Sequence, residues 1–173
     1  DCSLALAING FANVNLLKRF DVALQSYESA LTSNPSNALA WLLKGTLHAF
    51  RSEGQLAVDH TQRALKLSPL DPHRWFYDSL ATTACLSNGE YERAFELAKR
   101  SLRANRKHTS TWRVMTIAQW QLGQLEDARK SAQELMKLQP TLTVSGWLKA
   151  SPAADYPIGR AAAEILRKAG VPE

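Results

Sequence analysis

Cysteine is nearly missing: the 173 residues contain two, Cys2 and Cys85. One pair, half of it beside a chain end, is no disulfide framework, and with no CxxC there is no zinc or dithiol site. Both are expected to be free thiols in a reducing compartment, with Cys85 a small core residue. No run of 18 apolar residues occurs, which excludes a membrane-spanning helix. The opening Asp1-Cys2-Ser3-Leu4 has neither an initiator Met nor the basic start of a signal peptide. It reads as a chain that begins mid-protein, with a cytoplasmic location expected. Glycine is sparse, at eight residues, and no GxGxxG, GxxxxGK[ST] or GxSxG occurs. The four histidines, His48, His60, His73 and His108, form no HExxH or other ligand spacing. No catalytic residue, metal, cofactor or small-molecule substrate is therefore expected. The charge excess is modest, +5 with a pI near 9.4, which favours acidic partners but falls short of a nucleic-acid-binding arm. At 45% hydrophobic the chain can build a continuous core as one globular unit or one short solenoid.

What the sequence does have is a period. Ala23 and Ala57, Ala30 and Ala64, and Pro35 and Pro69 are each 34 residues apart. Trp41 precedes Ala57 by 16 and Pro69 by 28, and Trp112 stands at the same two offsets from Ala128 and Pro140. Trp75 opens a third unit, but its Ala94 lies 19 away, which places three extra residues near Leu86-Ser87-Asn88-Gly89. A 34-residue period with Trp, Gly, Ala, aromatic, Ala and Pro in that order resembles the tetratricopeptide repeat. Trp41, Gly45, Ala57, Ala64 and Pro69 carry the resemblance, and so do Asn88-Gly89-Glu90-Tyr91-Glu92-Arg93-Ala94 and Leu122-Gly123-Gln124-Leu125-Glu126-Asp127-Ala128. It covers roughly residues 4–140. In this frame Ala7 stands where Trp is common, Phe11 where Gly is common, and Thr61 where an aromatic is usual.

The expected fold is all-α: a right-handed superhelical stack of about four helical hairpins closed by C-terminal capping helices. The physics agrees. Leu125, Ala128, Ala132, Leu135 and Leu138 recur at steps of three and four, one face of a helix. Pro35, Pro69 and Pro140 end second helices, because the residue before proline avoids the helical region. Asp71-Pro72 reads as an N-cap followed by proline at the first helical position. The pattern predicts helices at 4–17, 20–33, 37–51, 55–67, 72–87, 91–104, 109–121 and 125–138. The array occupies 1–140, in units 4–37, 38–71, 72–108 and 109–142. Residues 141–173 form a capping segment: a short apolar stretch with Trp147, then a helix from Ile158 to Ala169 whose apolar face is Ala162, Ile165, Leu166 and Ala169. A repeat array needs such a closing element, and this one could cap the stack or occupy its groove.

The closing phrase Leu166-Arg167-Lys168-Ala169-Gly170-Val171-Pro172-Glu173, with Leu67-Ser68-Pro69-Leu70-Asp71-Pro72-His73-Arg74-Trp75-Phe76, resembles bacterial proteins that join a class III adenylate/guanylate cyclase domain to tetratricopeptide repeats. The resemblance implies a non-catalytic regulatory tail of a bacterial signalling protein. Some winged-helix transcriptional regulators carry a similar repeat tail, and a free-standing adaptor or dimerisation module is a further reading.

In the repeat frame the first helix of each hairpin lines the concave face. The expected groove takes Ile8, Asn9, Ala12 and Asn15 from the first hairpin and Leu39, Leu42, Thr46 and Phe50 from the second. His73, Phe76, Tyr77 and Leu80 come from the third, and Arg113, Ile117 and Trp120 from the fourth. Some family members hold a terminal carboxylate with a Lys/Asn/Arg clamp; Ile8, Asn9, Leu42 and Phe76 stand at the matching places. An apolar groove suits an extended or helical peptide with hydrophobic anchors. The expected occupant is a protein or peptide partner, a domain of the same polypeptide, or a second copy in a homodimer. A basic run, Lys99, Arg100, Arg103, Arg106 and Lys107, complements a helix C-terminus; the functional alternative is a docking patch for a phosphate, an anionic surface or an acidic partner. Nucleic-acid binding through this run is a less favoured alternative, since it lacks the interleaved aromatics that suit single strands. His48 and His60 flank the second hairpin's turn and could approach each other.

Overall fold

The computed structural model describes residues 2–173. It consists of ten helices among those residues. Four hairpins come first: α1 (Cys2–Asn15) with α2 (Phe20–Ser33), α3 (Ala38–Phe50) with α4 (Gly54–Leu67), α5 (Arg74–Ser87) with α6 (Tyr91–Ala104), and α7 (Thr109–Gln121) with α8 (Leu125–Leu138). Two shorter helices follow, α9 (Val144–Ala150) and α10 (Pro157–Lys168). Each second helix packs on the first helix of the next hairpin, and α1, α3, α5 and α7 also pack on one another. The first helices thus form an inner layer and the second helices an outer one, as a curved stack requires.

Alanine permits this close stacking. Ala23, Ala30, Ala57, Ala64, Ala94 and Ala128 are all at 0% exposure, because a larger side chain there would hold neighbouring helices apart. Where the helices cross most closely even a methyl is too much. A Cβ on Gly10 would run into the Tyr27 ring, and one on Gly45 would lie 2.7 Å from Thr61.

One backbone hydrogen bond closes each hairpin turn and fixes the register of the four units. The donors are the N–H groups of Glu53, Glu90 and Gln124, and the acceptors are the carbonyls of His48, Cys85 and Gln119, five residues back in each case. In hairpin 1 Arg19 donates to Asn13, six residues back, so this turn holds one extra residue. The frame read from the sequence is therefore displaced by one in α1. Leu6 holds the Trp position and Gly10 the Gly position, instead of Ala7 and Phe11. Each turn has a residue of positive φ: Lys18, Ser52, Gly89 and Gly123.

The same bond corrects the third unit. Its turn, residues 88–90, is as long as 51–53 and 122–124, so nothing is inserted at 86–89. The extra residues lie ahead of it. The connection 68–73 is two residues longer than 34–37 or 105–108, and α5 is one residue longer than α3 or α7. Asp71 does not cap α5. It folds the long connection by accepting from the His73 N–H at 2.8 Å and the Ser68 hydroxyl at 3.1 Å, and α5 starts two residues later than Pro72. Position 78, not 75, then aligns with Trp41 and Trp112. Those indoles donate to the carbonyls of Pro35 (2.9 Å) and Arg106 (2.8 Å) at their corners. In hairpin 3 an ion pair replaces the indole: Asp78 accepts from Arg74 Nε at 3.1 Å, and Arg74 Nη1 donates to the Pro69 carbonyl at 3.1 Å.

Candidate functional site

Past α8 the chain turns into the stack. Val144 N–H donates to the Pro172 carbonyl at 2.7 Å, which ties the start of α9 to the end of the chain. Thr143 caps α9 by accepting from Gly146 N–H at 3.0 Å, and Pro157 occupies the first turn of α10. Leu142, Val144, Ala163, Leu166, Ala169 and Val171 join Ala132 and Leu135 of α8 in one apolar cluster. Ala162 and Ile165 of α10 pack with Ile117 of the inner helix α7, with Leu86, Trp120 and Trp147 around them. The tail therefore does two things: one side caps α8, and the other enters the concave face.

It also reaches the far hairpins. The Lys18 ammonium donates to the Lys149 carbonyl at 2.8 Å. Ile158 N–H donates to the Ser52 hydroxyl at 3.3 Å, and the rings of Phe20 and Tyr156 meet edge to face at 5.3 Å. Lys18 and Ser52 are, among the described residues, the two that hold positive φ without being glycine. Their side chains contact the tail, a role that Gly89 and Gly123 cannot fill at the equivalent places.

This arrangement divides the expected groove. Ile117 is 8% exposed and covered by α10. Arg113 lies beneath Trp147 with its guanidinium carbon 5.4 Å from the ring centroid, and burial pulls its pKa down to about 10. Trp120 is half-buried in the same cluster. The open part is bounded by α1, α3 and α5, where Phe11, Asn15, Thr46, Phe50 and Leu80 line a cleft of about 40 Å³. Leu39 and Phe76 flank it, half-buried.

Six expected groove residues lie elsewhere: Ile8, exposed, and Ala12, half-buried, sit on the end face of α1, and four more are packed or displaced. Asn9 faces α2, where its side-chain oxygen accepts from Asn13 and from the Ser26 hydroxyl. Leu42, at 0% exposure, and Tyr77, at 6%, are packed against Ala64 in the seam between hairpins 2 and 3. His73 sits exposed at the N-cap of α5. The one-residue shift in hairpin 1 puts Phe11 where Ala12 was expected, and the long connection before α5 displaces His73. The tail contacts Trp147, Tyr156, Lys18 and Ser52 were not anticipated. Only the non-glycine turn residues gave any sequence signal for them.

The basic run divides too. Lys99 pairs with Glu96 at 3.1 Å, and Arg100 grips the buried Asp78 through two nitrogens. Arg103, Arg106 and Lys107 are exposed on the outer surface.

His48 and His60 do meet, with ring centroids 5.3 Å apart, and the indole of Trp41 lies 5.1 Å beyond His60. His48 Nδ1 pairs with the Glu53 carboxylate. Burial, then the neighbouring His48 and Lys44 charges, lower the His60 pKa to about 4 from an unfolded value of 6.5. The folded state therefore resists protonation of His60. Its contribution to stability is complete above about pH 6.5 and is lost as pH falls towards 4. Urea melts of the chain and of His60→Gln at pH 7 and pH 5 should show a smaller acid loss in the variant. Equal losses would assign the acid sensitivity to other groups.

Residues 17–72 match the tetratricopeptide repeat family model. No curated protein matches the chain in sequence. Similar solved structures include TTC0263, a thermophilic TPR protein of Thermus thermophilus, at 19% identity and TM-score 0.66 over 96% of this chain and 88% of that one. YrrB, described as a TPR protein with an unusual peptide-binding site, is 20% identical with TM-score 0.58 over 94% of this chain and 84% of that one. The APC/C hetero-tetramer Cut9-Hcn1 gives TM-score 0.76 at 14% identity, over 98% of this chain but 30% of the other. These similarities establish the fold expected from the sequence, an all-helical tetratricopeptide solenoid.

Proposed function

We propose that this tetratricopeptide-repeat chain is a non-catalytic protein-interaction module whose partner docks in the open half of the concave face, between α1, α3 and α5. One observation carries this reading. The chain's own tail already covers the α7 end of the groove, whereas Phe50, Phe76 and Leu80 stay partly accessible on a rigid helical scaffold. Such a surface suits an extended or helical segment with two or three apolar anchors. No acidic or basic side chain lines the cleft, which favours anchors over charge recognition. A peptide-display selection against the whole chain tests it. Selected peptides should share apolar anchors and lose at least about tenfold in affinity against Leu80→Asp, roughly 1.4 kcal/mol. They should be indifferent to Arg103→Ala. The reverse pattern would move the site to the outer surface.

The finer reading is that the module is the C-terminal accessory part of a bacterial class III cyclase-type signalling protein. It is supported by the likeness of residues 166–173 and 67–76 to such proteins. The reading frame upstream of Asp1 decides it: a class III cyclase domain there is the expected result. If a winged-helix domain is found, the module belongs to a transcriptional regulator.

A further inference from the structure

The internal first helices α3 and α7 bury the same stripe against the hairpin ahead of them. In α3 the stripe is Ala40 (0% exposed), Leu43 (4%) and Leu47 (0%), joined in one cluster with Ala7, Tyr27 and Ala30 of hairpin 1. In α7 it is Thr111 (0%), Val114 (8%) and Ala118 (0%), and the Thr111 hydroxyl lies 3.1 Å from that of Ser101 in hairpin 3. The register set by the turn bonds carries these positions onto Ala5, Ile8 and Ala12 of α1. Here the stripe is uncovered. Ile8 is 54% exposed, Leu4 (45%) and Phe11 (41%) border it on the concave side, where Phe11 lines the cleft, and Leu16 and Leu17 extend the apolar surface into the turn at 79% and 54%. Among the described residues, five of the eleven exposed large hydrophobics therefore lie on α1 and the turn after it. No residue of α1 is charged, unlike every outer helix. A cluster of exposed apolar side chains of this kind marks an interaction surface.

The internal seams show what fits it. The opposite end of the stack is closed, because α9 and α10 cover α8. A second copy of the chain has only its own α1 face open, and α1 set against α1 would not reproduce the order of the internal seams, in which a second helix packs on the next first helix. We propose that the α1 face is the docking site of one further helical hairpin of the same repeat type, stacked ahead of α1 in the register of the internal seams. Its second helix would set a small residue against Ala5, as Ala30 is set against Ala40 and Ala64 against Tyr77. Its inner helix would cover Ile8, as hairpin 1 covers Leu43. This inference does not depend on what the concave face binds.

The test lengthens the chain by a copy of its own residues 2–36 placed directly ahead of Cys2, which puts Cys2 where Asn37 stands in the internal seam. Tm is expected to rise by about 5 °C. Ile8→Asp should erase that gain in the lengthened chain and shift the original chain by less than about 2 °C, since Ile8 there faces water. Equal shifts in both backgrounds, or no gain on lengthening, would overturn the proposal. Sedimentation of the original chain at high micromolar concentration is expected to give a monomer. A dimer that Ile8→Asp dissociates would make a second copy the occupant and overturn it too.

Discussion

Gly159→Ala is expected to detach the C-terminal segment from the concave face and lower stability by about 3 kcal/mol. A Cβ at this position would collide with the Ala153 carbonyl oxygen and stand 2.6 Å from its carbon. These are backbone atoms and cannot rotate away as a side-chain end can. Ala153 is itself buried at 5% exposure, so the loop 151–156 has little room to retreat. The first turn of α10 must then lift. That breaks the approach of Ile158 to Ser52 and of Tyr156 to Phe20, and loosens Ala162 and Ile165 from Ile117. Tryptophan emission reports this directly, because Trp120 lies under the tail and Trp147, in α9, packs beside α10. A red shift together with a lower urea midpoint is the expected pair of changes. Gly146→Ala is the control. Its Cβ meets only the Thr143 hydroxyl, at 2.8 Å, a side-chain atom that can move. If the two variants melt alike, the close contact at Gly159 is not what holds the tail. The variant also bears on function. If the tail limits the groove, the detached form should accept longer apolar peptides than the parent chain.

The helices themselves were legible because their cues are local. Apolar steps of three and four, Asn-Pro and Ser-Pro stops and Gly-containing turns predicted eight array helices within a few residues of their observed bounds. Register was harder to read. The frame of hairpin 1 depends on one extra residue in the turn 16–19, and no composition signal distinguishes Leu16-Leu17-Lys18-Arg19 from a three-residue turn. The tight contact of Gly10 with Tyr27, which would have corrected the frame, exists only in three dimensions. Trp75 misled for a similar reason. A tryptophan near the start of a helix looks like the repeat's own, yet the residue that takes the tryptophan place is a carboxylate three positions on. The tail was legible as a helix but not in its placement. Its apolar face, Ala162, Ile165, Leu166 and Ala169, satisfies both a cap and a groove filler, and in the fold it serves as both.

Asp78→Ala should carry the second large penalty, about 3 kcal/mol, read as a lower urea midpoint at unchanged slope. Asp78 is 1% exposed, an ionisable side chain in a place built for an indole. It survives there because both oxygens are taken: Arg74 Nε binds one at 3.1 Å, and Arg100 approaches the pair through Nε at 2.6 Å and Nη2 at 2.5 Å. Hairpin 2 solves the same place differently: the Arg63 guanidinium lies 4.8 Å over the Trp41 ring. Arg100 stands at the matching position of α6, so a cation on a ring has been exchanged for a cation on a carboxylate. Removing Asp78 leaves Arg74 and Arg100 facing each other without the charge between them. It also frees Arg74 from the long corner at Pro69 that it anchors. The loss should be asymmetric. Arg100 has 52% of its side chain exposed and can return to water, so Arg100→Ala should cost only about 1 kcal/mol. Arg74 is 27% exposed and also holds the corner, so Arg74→Ala should cost more. If the aspartate and both arginine variants all fall within about 0.5 kcal/mol of the parent chain, the buried charge is not what holds α5 to α6 and to the corner at Pro69.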